Sequence, residues 1–360
     1  MLNILIPTQP DDAHALYVKL ALAHCGHSAD LWYTADFPTQ QMHTFALSNG
    51  ARLSRWMTGK DVGIRCQHYD IVWNRRPAKP ILPSGLHTDD VDNAKRECLA
   101  WYQNLWLVLL PDAIWINPWD AAARSAAKLW QLQVAALVGF HIPNTLVSNH
   151  PQAIAAFIAN KRRPKIYKTL QPMVWMQEDA VNLTYTQVVG VEDLPSAAVL
   201  QATPGIFQEC IRKKYELRVT YFGERAVAVK IDSQACKAAQ MDWRAAPTHE
   251  LDLSEVRLPD AIHQRCLMLM KRLKLRMGCF DFIVTPEDEY YFLEINEQGQ
   301  FLWIEEVNPE IRMLAAFVKY IDSFVGFRPL RLLPDIQLQD FAGEVALMKQ
   351  RAMLSHQRVI

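Results

Sequence analysis

Gly278-Cys-Phe-Asp281-Phe-Ile-Val284, Thr285-Pro-Glu-Asp-Glu289 and Tyr290-Tyr-Phe-Leu-Glu294-Ile-Asn296 follow one another near the C-terminal end of the chain. Two runs rich in aromatic and β-branched residues flank a segment of turn formers, which predicts a β-hairpin. With its turn centred between Glu287 and Asp288, position 281 lies opposite position 294. Opposed residues share one sheet face, and so do residues two apart on one strand. Asp281, Glu294 and Asn296 then converge, while Phe280, Phe282, Leu293 and Ile295 point the other way and suit a core. Two carboxylates and an amide oxygen form a hard, oxygen-rich cluster that suits magnesium. Without a cation the two carboxylates repel, and one becomes harder to ionise.

The hairpin sits in a chain of 360 residues, 50% of them hydrophobic. That is too much for one small core, so two or three lobes are expected. Lysine and arginine number 38, as do aspartate and glutamate, giving a formal net charge of zero. Global charge therefore makes no case for nucleic acid or an anionic membrane. None of the 7 cysteines forms a C-x-x-C pair. A zinc site or disulfide framework is not expected, and the thiols read as small apolar residues in a reducing compartment. The first residues lack the basic and apolar regions of a signal peptide. The run Leu105 to Leu110 is apolar but too short to cross a bilayer. A cytoplasmic protein is the expectation.

Upstream, residues 3–7 are β-prone, and Asp11 and Asp12 are placed to cap a helix through Ala15, Val18 and Leu22 that Gly26 stops. A further strand follows near Leu31–Tyr33, the rhythm of an α/β lobe. Asn117-Pro118 punctuates the chain. Asp120 then opens an alanine-rich helix carrying Lys128, Leu129, Leu132, Ala135 and Leu137, with Gly139 at its end and a strand from Ile142. From about residue 205 strands dominate, at Ile206–Glu209, Glu216–Tyr221, Ala226–Ile231, Cys279–Val284 and Tyr290–Ile295, with a helix near 259–276 between them. The stretch 233–250 is a candidate mobile loop, and the end of 330–360 reads as helix. The helix near 95–110, with Trp101, Trp106 and Leu109, suits either core or an interface between subunits. The fold class is α/β (α+β). The expected domains are an N-terminal lobe at 1–118, a central lobe at 119–205, a C-terminal lobe with the magnesium site at 206–330 and a helical extension at 331–360.

A metal that carries a nucleotide also needs cations on the phosphate oxygens. Neither G-x-x-x-x-G-K-[ST] nor G-x-G-x-x-G occurs, so lysines must supply much of that charge. Lys128 sits among apolar neighbours, and Lys168 ends Pro164-Lys-Ile-Tyr-Lys168, a short strand. A lone lysine is ordinarily a solvated charge. Phe207-Gln-Glu209-Cys210-Ile211 reads as a strand running into a linker, whose backbone can offer a purine one acceptor and one donor. Glu216 and Arg218 share a strand face; a ribose needs a carboxylate, and an arginine suits a transferring phosphoryl group.

In chain order, Lys128, Lys168, Glu209-x-Ile211, Glu216-x-Arg218, Asp242-Trp-Arg244, Asp281 and Glu294-x-Asn296 resemble the motifs of the ATP-grasp superfamily. They resemble its RimK-type branch, which adds amino acids to a protein C-terminus. More closely they resemble the graspetide synthetases, microviridin-type ligases that make ester and amide crosslinks in precursor peptides. The closer likeness rests on Asp11-Asp-Ala-His-Ala15, Val72-Trp-Asn-Arg75-Arg-Pro77, Lys213-Lys-Tyr-Glu-Leu-Arg-Val219, Ile231-Asp-Ser-Gln234, Asp242-Trp-Arg244 and Gly299-Gln-Phe-Leu-Trp-Ile-Glu305. It spans roughly residues 1–325.

The resemblance implies ATP and Mg2+ as cofactors and an ATP-grasp fold. It implies that Lys128 and Lys168 bind phosphates, that Glu209, Cys210 and Ile211 form the adenine hinge, and that Glu216 takes the ribose. Arg218 and Arg244 would face the γ-phosphate and acyl phosphate, and Asp281, Glu294 and Asn296 would hold magnesium. A carboxylate activated as an acyl phosphate would be attacked by a hydroxyl or an amine, with Asp232 as a base or else as a salt-bridge partner. RimK-type enzymes carry an extra basic residue where this chain has Asp232, which points away from a RimK-like substrate. Cys210 stands where a tyrosine is usual, a change that a backbone contact tolerates. The implied partner is a precursor peptide with a leader segment, with no nucleic acid or membrane, and a homodimer is implied too. The loop 233–250 is one candidate leader contact. Arg75 and Arg76 suit either that role or salt bridges at the core edge. A small-molecule ligase and a nucleotide-binding protein without turnover are the other readings.

Overall fold

The computed structural model describes residues 1–47, 49, 54–59, 63–65, 69–171, 174–177, 180–183, 186–325 and 333–357. The first lobe runs β1 (Asn3–Thr8), α1 (Ala13–His24), β2 (Ser28–Tyr33), β3 (Met42–Ala46), β4 (Ser54–Thr58), β5 (Gly63–Arg65), β6 (Ile71–Trp73), α2 (Thr88–Val108) and β7 (Ile114–Ile116). Four of its strands form a parallel sheet in the order β2-β1-β6-β7, and β3-β4-β5 form a small antiparallel sheet. The run Ile4-Leu5-Ile6 is buried without alternation because helices cover both faces of the parallel sheet. Ile4 and Ile6 face α1, while Leu5 and Val72 face Tyr102, Leu105 and Trp106 of α2. Core is therefore the observed role of this part of α2, and Trp106 stacks on Trp119 with ring centroids 4.8 Å apart.

α1 stops as expected: Gly26 takes a positive φ of 75°, and the N–H groups of Gly26 and His27 return to the carbonyls of Ala23 and Leu22. Its start differs from expectation. Asp12 holds the N-cap position, but its side chain makes no cap. The carboxylate turns inward to Arg75, 3.2 Å away and equally buried, and to the Thr8 hydroxyl. Burying Arg75 without a carboxylate would be prohibitive, and that demand outweighs one capping bond. Next along α1, His14 accepts the N–H groups of Phe301 and Leu302 on Nε2.

The central lobe comprises α3 (Trp119–Ser125), α4 (Lys128–Leu137), β8 (Thr145–Ser148), α5 (Pro151–Ala159), β9 (Lys165–Lys168), β10 (Val174–Gln177), β11 (Ala180–Leu183), β12 (Gln187–Val189), α6 (Ala197–Ala202) and β13 (Gly205–Glu209). The single alanine-rich helix of the sequence reading is two helices. Ala127 adopts an extended ψ of 102° and starts α4 afresh. This break leaves Leu129 and Leu137 exposed and buries Gln131, Val134 and Ala135. The Gln131 amide bonds to both backbone groups of Ile295. An antiparallel sheet in the order β12-β9-β13-β8 packs against α5 through Ile154, Ile158 and Phe207.

The last lobe contains β14 (Tyr215–Phe222), β15 (Arg225–Ile231), β16 (Leu253–Glu255), α7 (Asp260–Leu273), β17 (Met277–Val284) and β18 (Tyr290–Asn296), followed by α8 (Leu302–Val307), α9 (Met313–Asp322) and α10 (Ala342–Ser355). Its antiparallel sheet runs β16-β15-β14-β17-β18. Phe280, Phe282, Phe292 and Ile295 line one face and pack with Leu217 and Val219 against α7. The hairpin forms with Asp281 opposite Glu294, but a bulge follows, since Phe282 pairs with Phe292. Leu293 is the extra residue. It leaves the core face and joins the cleft, and Phe292 fills the core instead. Asp288 supplies the positive φ of 59° that the tight turn requires.

The stretch 233–250, read as a mobile loop, holds three single-turn 3-10 helices and buries Ser233, Ala239 and Ala246. α10 returns to the first lobe through Val345 and Ala352, and His356 meets Asp36 at 2.6 Å. Asn117 ties the first lobe to the last. Its amide receives the N–H groups of Arg276 and Met277 and donates to the carbonyls of Met277 and Glu297. Six described cysteines, 25, 98, 210, 236, 266 and 279, are free thiols; Cys66 lies outside the described residues. No helix among the described residues is long and apolar enough to cross a membrane.

Burial drives the His14 ring well below its ordinary value, to about 3, with Arg75 acting in the same direction. His43 is half-buried, and the loss of solvent around its ring lowers it to about 4. An unfolded chain takes up these protons near pH 6.5 while the folded one does not, so stability falls as pH drops below that value. Urea melts between about pH 7.5 and about pH 5 should show this loss, and His14→Gln should make the slope shallower. The same variant, with a poorer acceptor for two buried N–H groups, should lose about 1–3 kcal/mol at neutral pH.

Candidate functional site

Arg218 pairs with Asp281 in register across β14 and β17, and Asp281 pairs with Glu294 across β17 and β18. The three side chains therefore form a row on the sheet face opposite the phenylalanines. Arg218 Nη1 donates to both Asp281 oxygens at 2.7 Å, and Nη2 donates to the Gln300 carbonyl. Asn296 Nδ2 donates to Asp281 Oδ2 at 3.1 Å. Burial works against the Arg218 charge, but Asp281 more than offsets it and holds the guanidinium firmly protonated. Burial pushes the Asp281 carboxyl up against the pull of Arg218, and Glu294 pushes it further. A divalent cation shared by Asp281, Glu294 and Asn296 would relieve that repulsion, so the donor set fits magnesium chemically. Arg218 Nε is buried and has no hydrogen-bond partner among the described residues.

This row forms one wall of a cleft whose other wall is the central sheet. Ile206 pairs with Lys168 and Gln208 with Ile166, so all four share the face that lines the cleft. Lys168 Nζ lies 3.2 Å from Gln208 Oε1. Burial lowers the lysine, and Glu294 opposes that shift across the cleft. Lys128, the first residue of α4, lines the same space. At the linker the N–H groups of Glu209 and Cys210 are taken by the carbonyls of Asn144 and Pro164. The Ile211 N–H has no partner among the described residues, which leaves it as the donor this linker can offer. Burial raises the Glu216 carboxyl, and Lys213 counters this from 2.8 Å while also donating to the Met241 carbonyl.

A second cavity of about 490 Å3 adjoins the first, and Asp281, Glu294 and Arg244 line both. Asp242, at the start of a 3-10 turn in the stretch 233–250, accepts from the Arg244 backbone N–H and from its guanidinium at 2.8 Å. Those bonds raise Arg244 further, and Glu294 lies 3.9 Å from its Nη1. Thr186 of the central lobe donates to Asp242 Oδ2, the oxygen that also accepts from Arg244 Nη2. Arg75 reaches this cavity from the first lobe, with Nη1 on the carbonyls of Gln298 and Gly299, both at 2.9 Å. Arg76, half-buried, lies 3.9 Å from Asp11. Salt bridging is thus the observed role of both arginines, although both also face the cavity. Trp243 stacks on Trp303 at 4.7 Å along its rim. Glu297 lines it too, its carboxyl raised by burial and then by Glu294.

Lys128, Lys168, Glu209, Cys210, Ile211, Glu216, Arg244, Asp281 and Glu294 thus meet in the first cavity, and Arg218 and Asn296 in the second. Asp232 does not join them. Its carboxylate meets Lys230 at 3.2 Å, and it lines neither cavity. Gln208, Lys213, Asp242 and Glu297 are site residues that the sequence reading did not assign. Gln208 carried a usable signal, being two residues from Ile206 on a strand paired with that of Lys168.

No family model matches the chain, and no curated protein sequence does. Solved structures do. A RiPP-associated ATP-grasp ligase from Chryseobacterium gregarium, in complex with ADP and a leader and core peptide, is 27% identical with a TM-score of 0.81. That match covers 92% of this chain and 100% of the other. The macrocyclase MdnC from Microcystis aeruginosa MRC, bound with precursor peptide MdnA, is 28% identical with a TM-score of 0.77, covering 89% and 100%. The macrocyclase MdnB from the same organism is 25% identical with a TM-score of 0.73, covering 91% and 100%. Fold and cleft together define an ATP-grasp ligase. Within that class the chain resembles the ligases of ribosomally made, post-translationally modified peptides, the graspetide synthetases.

The Arg218–Asp281 pair is buried, so removing one partner strands the other. Arg218→Ala should lower the unfolding free energy by about 3–5 kcal/mol in urea titrations. The double variant Arg218→Met with Asp281→Leu should recover most of that loss, because two apolar groups of similar size leave no buried charge.

Proposed function

We propose that the chain activates side-chain carboxylates of a ribosomally made precursor peptide with ATP and closes them into intramolecular ester or amide crosslinks. One observation carries this reading: the row Arg218, Asp281 and Glu294 lies where two cavities meet, one walled by lysines and a backbone linker, the other open to a larger group. The similar structures with ADP, leader, core or precursor peptide support the substrate class.

In this reading Ile211 N–H donates to the adenine edge and the Glu209 carbonyl accepts from it. Glu216 takes the ribose hydroxyls, and Lys128 and Lys168 hold phosphate oxygens. Asp281, Glu294 and Asn296 hold magnesium, which when bound neutralises charge on the phosphates. Arg218 and Arg244 orient the substrate carboxylate and offset the charge that grows as it takes the γ-phosphoryl group, leaving ADP. A hydroxyl or amine then attacks the acyl phosphate and phosphate leaves. Asp242 keeps the Arg244 guanidinium in its fork. Asp232 takes no part in either step. The need for ATP supports a cytoplasmic location. We include a homodimer in the proposal, which light scattering of the purified chain tests.

Phosphate release from ATP and magnesium is the deciding assay, with nothing added, with free amino acids, or with a precursor peptide encoded nearby. Release with the peptide, with loss of one water mass per bond, is the expected result. Release with free amino acids alone would replace this reading with a small-molecule ligase. Glu294→Ala should reduce the peptide-dependent rate on the order of a hundredfold or more. An unchanged rate would remove Glu294 from the metal site.

A further inference from the structure

Each arginine around the second cavity has a carboxylate of its own. Asp12 meets Arg75, Asp11 lies near Arg76, Asp281 binds Arg218, and Asp242 binds Arg244. Glu297 is different. It lines the same cavity, yet no cation and no hydrogen bond from another described residue meets its carboxylate. Asn117 fixes it from behind by donating to the Glu297 carbonyl at 2.7 Å. Lining the same cavity, the indoles of Trp243 and Trp303 stack at an interplanar angle of 18°, and Trp303 Nε1 is held by the Gln300 carbonyl. The cavity thus combines a carboxyl group that no described cation meets with a flat aromatic wall, and an ammonium on an alkyl stem has a partner for each.

We infer that the second cavity selects an amine acceptor, a lysine-type side chain whose ammonium meets Glu297 and whose methylene groups lie along the Trp243–Trp303 pair. This rests on the ligase reading above and narrows it to amide formation. A serine or threonine hydroxyl is neutral and short, and it offers Glu297 one hydrogen bond where an ammonium offers an ion pair. In the joining step the amine nitrogen forms the C–N bond as the C–O bond to phosphate breaks, and that bonding pair leaves with phosphate. The nitrogen gives one proton to water before attack and one to the departing phosphate.

Butylammonium chloride mimics the lysine side chain, and 1-butanol is its neutral counterpart. Both are titrated into the full chain and followed by saturation-transfer NMR, with magnesium chloride titrated separately by calorimetry. Butylammonium should bind about tenfold more tightly than butanol, and Glu297→Gln, which keeps the side-chain shape, should erase that difference. Trp303→Ala should weaken both ligands while leaving their ratio intact. Equal binding of the two ligands by the unaltered chain would overturn the inference. So would a Glu297→Gln variant that loses magnesium affinity but keeps butylammonium, since Glu297 would then be a metal ligand. These binding results do not depend on turnover, so absence of peptide-dependent phosphate release would count against the ligase reading alone.

Discussion

Arg218 and Asp281 face each other on adjacent strands, and the cleft is organised around that pairing. If β17 slipped by one residue, Asp281 would turn into the phenylalanine face and a phenylalanine would stand beside Arg218 in the cleft. Neither exchange is tolerable, because one face is dry and the other is lined with charge. The aromatic core and the charged row therefore enforce one register between them. Glu216, two residues before Arg218, and Glu294, opposite Asp281, inherit their positions from it.

The two cavities share Trp243, Arg244, Asp281 and Glu294, so these four side chains stand at their junction. The first cavity takes Lys128 from α4 and Lys168 from the central sheet, and it takes Glu216, Asp281 and Glu294 from the last lobe. The second draws its arginines from the first lobe, from the sheet and from the stretch 233–250. Thr186 and Asp242 join the central lobe to that stretch, so a single carboxylate links two walls. All three lobes are needed to complete one reaction space.

Much of this was legible in the sequence. Period-two spacing grouped Asp281, Glu294 and Asn296 on one face, because a strand's side chains alternate whatever surrounds it. The pairing of Arg218 with Asp281 joins strands distant in sequence and was not legible. The bulge at Leu293 was not legible, since one residue displaced within an apolar run leaves no mark in composition. The break between α3 and α4 escaped for the same reason: alanine favours helix, and the bonds that Gln131 makes to Ile295 beyond the break are tertiary. Asp12 and Arg75 lie far apart in the chain, and their ion pair follows from tertiary structure alone. Lys213 and Glu216 are close in sequence, but nothing local shows that the Met241 carbonyl completes the lysine's shell.

Asn117 fastens four backbone groups of the last lobe to the first. Arg75, with its two carbonyl bonds, adds a second fastening. Two side chains of the first lobe therefore hold six backbone groups of the last. α4 is fastened to the same sheet, because Gln131 bonds both backbone groups of Ile295. The two lysines that line the first cavity thus rest on different supports: Lys128 on a helix bonded to the strand that carries Glu294, and Lys168 on the central sheet.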